Sequence, residues 1–195
     1  MAKRLVVGIS GASGVILGIR LLEVLRETLE WETHLILSPA GRVTISQETE
    51  WRISDVEALA DHLYDSQDVG AAVASGSFAT DGMVIVPCSI KMLSAVANAY
   101  ADNLMARAAD VTLKEGRPLI LAVRETPLHL GHIRLMAQAA ECGAVIFPPV
   151  PAFYARPVSL DEVVNGTVGR ILARLGIEND LYYHWLGLRE NRRRR

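Results

Sequence analysis

Leu5-Val6-Val7-Gly8-Ile9-Ser10-Gly11-Ala12-Ser13-Gly14 is the stretch on which the fold turns. A short apolar run rich in β-branched residues, stopping at small residues, reads as a strand buried on both faces. From Val15 to Glu30, Ile16, Ile19, Leu22, Leu25 and Leu29 recur at helical spacing, with Arg20, Glu23, Arg26, Glu27 and Glu30 between them. Strand, glycine loop and amphipathic helix follow in that order. The pattern then repeats. Strands are expected at 32–38, 83–87, 118–123 and 143–147, and helices over 42–50, from Ser89, and over 103–115, 128–142 and 160–175. Pro39 suits the first turn of the helix at 42–50. Alternation of this kind predicts a single α/β domain over 1–195, with an open, mostly parallel sheet and helices on both faces, Rossmann- or flavodoxin-like. Ligands in such folds bind at the carboxyl ends of the strands.

Length and composition agree with one domain. The chain has 195 residues, and half of them are hydrophobic. A mean hydropathy of +0.23 is more apolar than one small core requires, which points to subunit interfaces. The longest uncharged segments, Val69–Thr80 and Cys142–Ala155, fall short of the roughly 18 residues of a spanning helix. The start of the chain lacks the pattern of a signal peptide, so a cytoplasmic location is expected. Cys88 and Cys142 form neither a disulfide framework nor a zinc pattern. The formal charge of −2 hides an asymmetry, because Arg192–Arg195 close the chain. Without them, 16 basic face 22 acidic side chains, a net of −6 that argues against nucleic-acid binding. The basic end, about 186–195, is expected to be a disordered tail.

Polar clusters at the predicted strand ends are where chemistry can sit. In Ser10-Gly11-Ala12-Ser13-Gly14 small side chains let backbone N–H groups approach a phosphate, although Ser13 could simply cap a helix. This is neither a dinucleotide fingerprint nor a Walker loop. In Pro87-Cys88-Ser89-Ile90-Lys91, Ser89 could present N–H groups to an anion, and Cys88 reads better as a buried residue than as a nucleophile. Arg124-Glu125 follows an all-apolar strand and is hard to explain as packing; arginine there can bind phosphate while glutamate handles a proton. Lys114, Tyr154 and Arg170 would make a phosphate clamp if they converged. His129 and His132 stand one helical turn apart, but no third ligand has a compelling spacing, so they read as structural or surface histidines. Trp31, Trp51 and Trp185 read as packing residues.

Taken together, Val7–Gly14, Pro87-Cys88-Ser89, Arg107–Val111, Leu113-Lys114-Glu115, Arg124–Pro127 and Pro151–Tyr154 resemble the UbiX-type flavin prenyltransferases, from about Lys3 to Trp185. The resemblance implies a homododecamer built of trimers, with active sites at subunit interfaces. It implies that reduced FMN is alkylated by dimethylallyl monophosphate at N5 and then C6, and that prenylated FMN passes to a UbiD-type decarboxylase. No metal is expected. Gly11, Ala12, Ser13, Ser38, Ser89, Ile90, Lys91, Met92 and Arg124 match FMN-binding positions. Ser13 also matches a position near flavin N5, and Glu48 and Glu125 match active-site acids. Lys114, Tyr154 and Arg170 match the positions that hold the dimethylallyl phosphate, and Trp185 matches an aromatic that helps close the site. Gly116 stands where many relatives carry a basic residue, and the stretch from Leu186 has no clear counterpart. An FMN-dependent decarboxylase of the same superfamily and a non-catalytic flavin carrier remain as alternatives. Ubiquinone synthesis and aromatic-acid breakdown are both open as the pathway.

Overall fold

The computed structural model describes residues 2–28 and 30–187. The predicted helical position Leu29 and the arginine run Arg192–Arg195 lie outside them. The chain forms two compact units, 1–149 and 150–195.

The first unit is built on a six-stranded sheet. Its strands are β1 (Lys3–Ile9), β2 (Trp31–Leu37), β3 (His62–Tyr64), β4 (Gly82–Cys88), β5 (Leu119–Val123) and β6 (Val145–Ile146). Their order is β3-β2-β1-β4-β5-β6, and every pairing is parallel. The order reverses between β1 and β4, which is the switch point of a Rossmann-type sheet. Between the strands run α1 (Ile16–Arg26), α2 (Pro39–Glu48), α3 (Ile53–Glu57), α4 (Ile90–Ala97), α5 (Leu104–Lys114) and α6 (Leu130–Glu141).

Strand alternation decides which helix covers which face. A Cβ added at Gly18 of α1 would lie 2.9 Å from Ile9, so α1 packs on the face of Leu5, Val7 and Ile9. A Cβ at Gly8 would lie 3.0 Å from the Met105 sulfur, so α5 lies on the face of Val6 and Gly8. There Met83, Ile85, Leu119 and Leu121 form a buried cluster with Leu93, Val96, Leu104 and Met105 from α4 and α5. The sheet is thus covered on both faces, as the alternating pattern predicts.

Four elements differ from the sequence reading. Helix α1 ends at Arg26 rather than Glu30, because Trp31 already begins β2 and its N–H bonds back to the Thr28 carbonyl at 3.1 Å. Strand β3 and helix α3 are too short to show a period. Strand β6 keeps only two residues, since Pro148 and Pro149 have no N–H for the ladder.

The second unit holds a single 3₁₀ turn (Phe153–Ala155) and α7 (Leu160–Arg174) among its described residues. Helix α7 starts with a variant of the capping box, in which the glutamate reaches the N–H of the residue before the cap. The Ser159 hydroxyl accepts from Glu162 N at 3.2 Å, and the Glu162 carboxylate accepts from Val158 N at 2.9 Å. Past α7, the Asn179 amide donates to the Gly169 carbonyl at 3.1 Å and ties the following segment to the helix.

Candidate flavin site

The carboxyl ends of β1 and β4 are joined through one buried hydroxyl. Ser10 is 2 % exposed, so its side chain must find partners within the protein. Its Oγ donates to the Pro87 carbonyl at 2.9 Å and accepts from Ser89 N at 2.8 Å. The glycine loop and the start of α4 are therefore held in register at the switch point.

Three helices begin beside this junction, each with a side-chain cap. Ser38 accepts from Gly41 N at 2.9 Å at the start of α2, and Ser89 accepts from Met92 N at 3.3 Å at the start of α4. Asn103 accepts from Ala106 N at 3.1 Å at the start of α5. Ser38, Ser89 and Asn103 all line one cleft of about 390 Å³, together with Ser10, Gly11, Lys91 and Met92 among others. A cap satisfies one of the four N–H groups that a helix start leaves over, and the rest face outward with the positive end of the dipole. The convergence of three such ends favours an anion.

The loop above the cleft is shaped by close approach. A Cβ on Gly11 would lie 2.3 Å from the Ala40 Cβ, so only glycine lets the loop meet the start of α2. Gly14 has φ of +95° and donates its N–H to the Glu48 carboxylate at 2.8 Å. Glu48 thereby fixes the far end of the loop from the end of α2. Ser13 is not the cap of α1: the helix starts at Ile16 with no side-chain cap, which leaves the Ser13 hydroxyl uncommitted to capping. Small side chains, backbone donors and three helix starts fit the phosphate and polar edge of a flavin nucleotide.

The remaining predicted residues fall into separate groups. Arg124 and Glu125 are exposed just beyond the carboxyl end of β5, and Arg124 N bonds to the Cys88 carbonyl at 3.0 Å. Lys114 ends α5, before β5 begins, and pairs with Glu115 at 2.6 Å. Five strand residues separate it from Arg124, roughly 16 Å at the rise of a parallel strand. Within one chain, Lys114 thus stands toward the amino ends of the strands, opposite the end that carries Ser10, Ser38, Ser89 and Arg124. In the second unit Tyr154 meets Trp185 edge to face, with centroids 5.7 Å apart, and the Arg170 guanidinium lies 5.3 Å from the Tyr182 ring. Tyr154 and Trp185 are each about half exposed. Cys88 is fully buried, and burial raises its thiol pKa, which makes it a packing residue rather than a nucleophile.

Sequence reasoning missed Ser10 and Asn103 as architects of the site. Ser10 read as the strand end that opens the Ser10–Gly14 loop, and nothing local shows that its hydroxyl bridges to a residue 79 positions away. Asn103 carries a weak signal, a capping residue ahead of an apolar period.

A cleft that favours anions at the switch point of a parallel sheet defines a nucleotide-type ligand-binding protein. Comparison with known proteins narrows the class. The Flavoprotein family matches residues 1–172. The chain is 60 % identical over 187 residues to flavin prenyltransferase UbiX of Escherichia coli strain K12, covering 95 % of this chain and 99 % of that one. It is 54 % identical to flavin prenyltransferase UbiX of Thauera aromatica, over 96 % of both chains. Among solved structures, AnUbiX (PadA1) in complex with FMN and dimethylallyl pyrophosphate superposes with a TM-score of 0.94 at 45 % identity, covering 96 % of this chain and 100 % of that one. A dodecameric FMN-dependent UbiX-like decarboxylase from Escherichia coli O157:H7 superposes at 0.93 with 44 % identity, over 95 % and 100 % of the two chains. The chain belongs to the Flavoprotein family and, within it, to the UbiX flavin prenyltransferases.

Proposed function

We propose that this chain joins a dimethylallyl group from dimethylallyl monophosphate to N5 and C6 of reduced FMN and delivers prenylated FMN to a UbiD-type decarboxylase. The observation that carries the reading is the cleft at the β1/β4 switch point, where three capped helix starts and the Gly11–Ser13 loop meet. Bound there, the reduced flavin supplies the nucleophile. Ser38, Ser89 and the first-turn N–H groups of α2 and α4 hold its polar edge, as do Gly11, Ala12, Ile90, Lys91, Met92 and Arg124 by their match to family positions. Ser13 stands at the loop apex where donor and flavin meet, and Glu48 keeps the loop in place through Gly14.

The chemical requirement on the donor side is to stabilise a departing phosphate. Cationic side chains do this in a dry pocket, where their charge acts through little solvent. Lys114, Arg170 and Tyr154 take that role by their match to the family, and Trp185 closes the pocket. Since Lys114 stands across the sheet from Arg124, we assign it to the site of a neighbouring copy, in a homododecamer like that of the Escherichia coli O157:H7 relative. Glu125, exposed beside Arg124, takes the proton lost from the flavin ring carbon, with the released phosphate as the alternative acceptor. The protein works in the cytoplasm. Among the described residues, no helix is long and apolar enough to cross a membrane.

The test is transfer of product. Protein incubated anaerobically with reduced FMN and dimethylallyl monophosphate is removed by filtration, and the filtrate is added to an apo UbiD-type decarboxylase. Decarboxylase activity is expected only when the donor was present. Activity independent of the donor would show a flavin carrier, and none in either case would break the proposed link to the partner. A parallel arm with dimethylallyl pyrophosphate reports whether the monophosphate alone serves.

A further inference from the structure

At the amino end of the sheet, away from the flavin cleft, three ligating side chains meet on the face covered by α5. Glu32 and His34 are two residues apart on β2 and so point to the same face. His62 on β3 is the register partner of His34. The Glu32 Oε1 lies 2.7 Å from His62 Nε2 and 3.5 Å from His34 Nε2. One ligand atom from each residue falls within 4.8 Å of the others. Their arrangement is fixed from behind: Arg4 Nε donates to the other Glu32 oxygen at 3.0 Å, and His34 Nδ1 bonds the Tyr64 hydroxyl at 3.0 Å. Phe78 packs edge-on against the His34 ring, with centroids 5.3 Å apart.

One atom in this cluster has no counterpart. His34 is 1 % exposed, yet its Nε2 has no hydrogen-bond partner among the described residues. The 3.5 Å to Glu32 is too long for a good hydrogen bond, and a buried ring nitrogen without a partner needs an explanation. With Nδ1 bonded to Tyr64 Oη, Nε2 can serve as the lone-pair donor, which is the arrangement found behind metal-bound histidines. A tetrahedral zinc ion with bonds near 2.1 Å sets its ligand atoms roughly 3.4 Å apart, close to the 3.5 Å between Glu32 Oε1 and His34 Nε2. The two imidazoles stack face to face, with centroids 4.7 Å apart and 13° between their planes, so the half-exposed His62 ring must turn for both in-plane lone pairs to meet one ion.

We propose that Glu32, His34 and His62 bind a first-row divalent cation of the zinc type. Two imidazoles and one carboxylate select zinc, cobalt or nickel over magnesium or calcium, which prefer all-oxygen sites. The cation takes the place of the proton shared by Glu32 and His62 and gives His34 Nε2 its partner. Its fourth position opens to solvent beside exposed His62. The site clips edge strand β3 to β2 and takes no part in prenyl transfer.

The experiment uses the full, untagged chain carrying Cys142→Ser, which removes the exposed thiol, after dialysis against chelator. Cobalt(II) is titrated by difference absorption spectroscopy, followed by zinc. One cobalt per chain is expected, with the visible d–d band of a four- or five-coordinate ion, bleached on adding zinc. His62→Ala should weaken cobalt binding at least tenfold and abolish the band, while keeping the metal-free circular dichroism spectrum. His132→Ala should bind as the parent does, because the other histidine pair, His129 and His132, lies on α6 and its loop. Zinc should raise the thermal midpoint of the parent and not that of His62→Ala. A parent that binds no cobalt, or a band that survives His62→Ala, would overturn the site.

Discussion

Gly11 shows how one missing side chain can decide a binding site. A Cβ there would press on Ala40 at 2.3 Å and on its backbone carbonyl carbon at 3.1 Å, neither of which can swing aside. Gly11→Ala should therefore push the loop away from α2 and weaken FMN binding by at least about tenfold, read by quenching of flavin fluorescence. Unchanged affinity would show that the loop does not hold the flavin. Ser10 acts differently, through two hydrogen bonds that close the switch point. Ser10→Ala leaves the Ser89 N–H without its acceptor, at a cost of about 1–3 kcal/mol, visible as a lower urea midpoint with unchanged slope. Glu125 carries the chemical claim at this scale. Glu125→Gln should bind FMN as the parent does but form product about a hundredfold more slowly, the usual scale of a lost general base. Product at the parental rate would remove Glu125 from the mechanism. The Gly11–Ser13 loop and the Arg124-Glu125 pair were legible in the sequence because small residues and unpaired charges at strand ends are local signals. Ser10 was not, since its bridge to Ser89 exists only once β1 and β4 lie side by side.

Among the elements, β1, β2, β4, β5 and the longer helices of the first unit announce themselves by period and by capping residues such as Ser38 and Ser89. The short β3 does not, because three residues carry no period and its pairing with β2 rests on tertiary contact. That pairing makes β2 and β3 sensitive to acid. Burial pushes the pKa of His34 from its ordinary 6.5 to about 4, against the pull of the nearby Glu32 and Asp61 carboxylates and helped slightly by His62 and Arg4. The unfolded chain therefore takes up a proton that the folded one refuses. Stability from this group is fully present above pH 6.5 and is lost as pH falls toward about 4. Its share of the loss is roughly 2 kcal/mol between pH 7 and pH 5. In buffer with chelator, urea midpoints should fall over this range and fall less in His34→Leu. Equal falls in both would show that His34 is protonated in the folded state.

At the scale of the whole molecule, the sequence points to apolar surface beyond one core, and the described residues include exposed Val150, Phe153, Val158 and Leu160. Within one chain, β5 lies between Lys114 and Arg124. If neighbouring copies complete each site, inactive Lys114→Ala and Arg124→Ala proteins, dissociated together and reassembled, should regain activity. Random mixing restores both native residues at roughly a quarter of the sites. No regain in mixed oligomers would put both residues in the same chain's site. The most direct test of the central claim is the mass of the flavin itself. Protein is mixed anaerobically with reduced FMN and dimethylallyl monophosphate, and the flavin is released and weighed by mass spectrometry. A gain of one five-carbon prenyl unit is the expected result; FMN of unchanged mass, with flavin and donor both shown to bind, would contradict it.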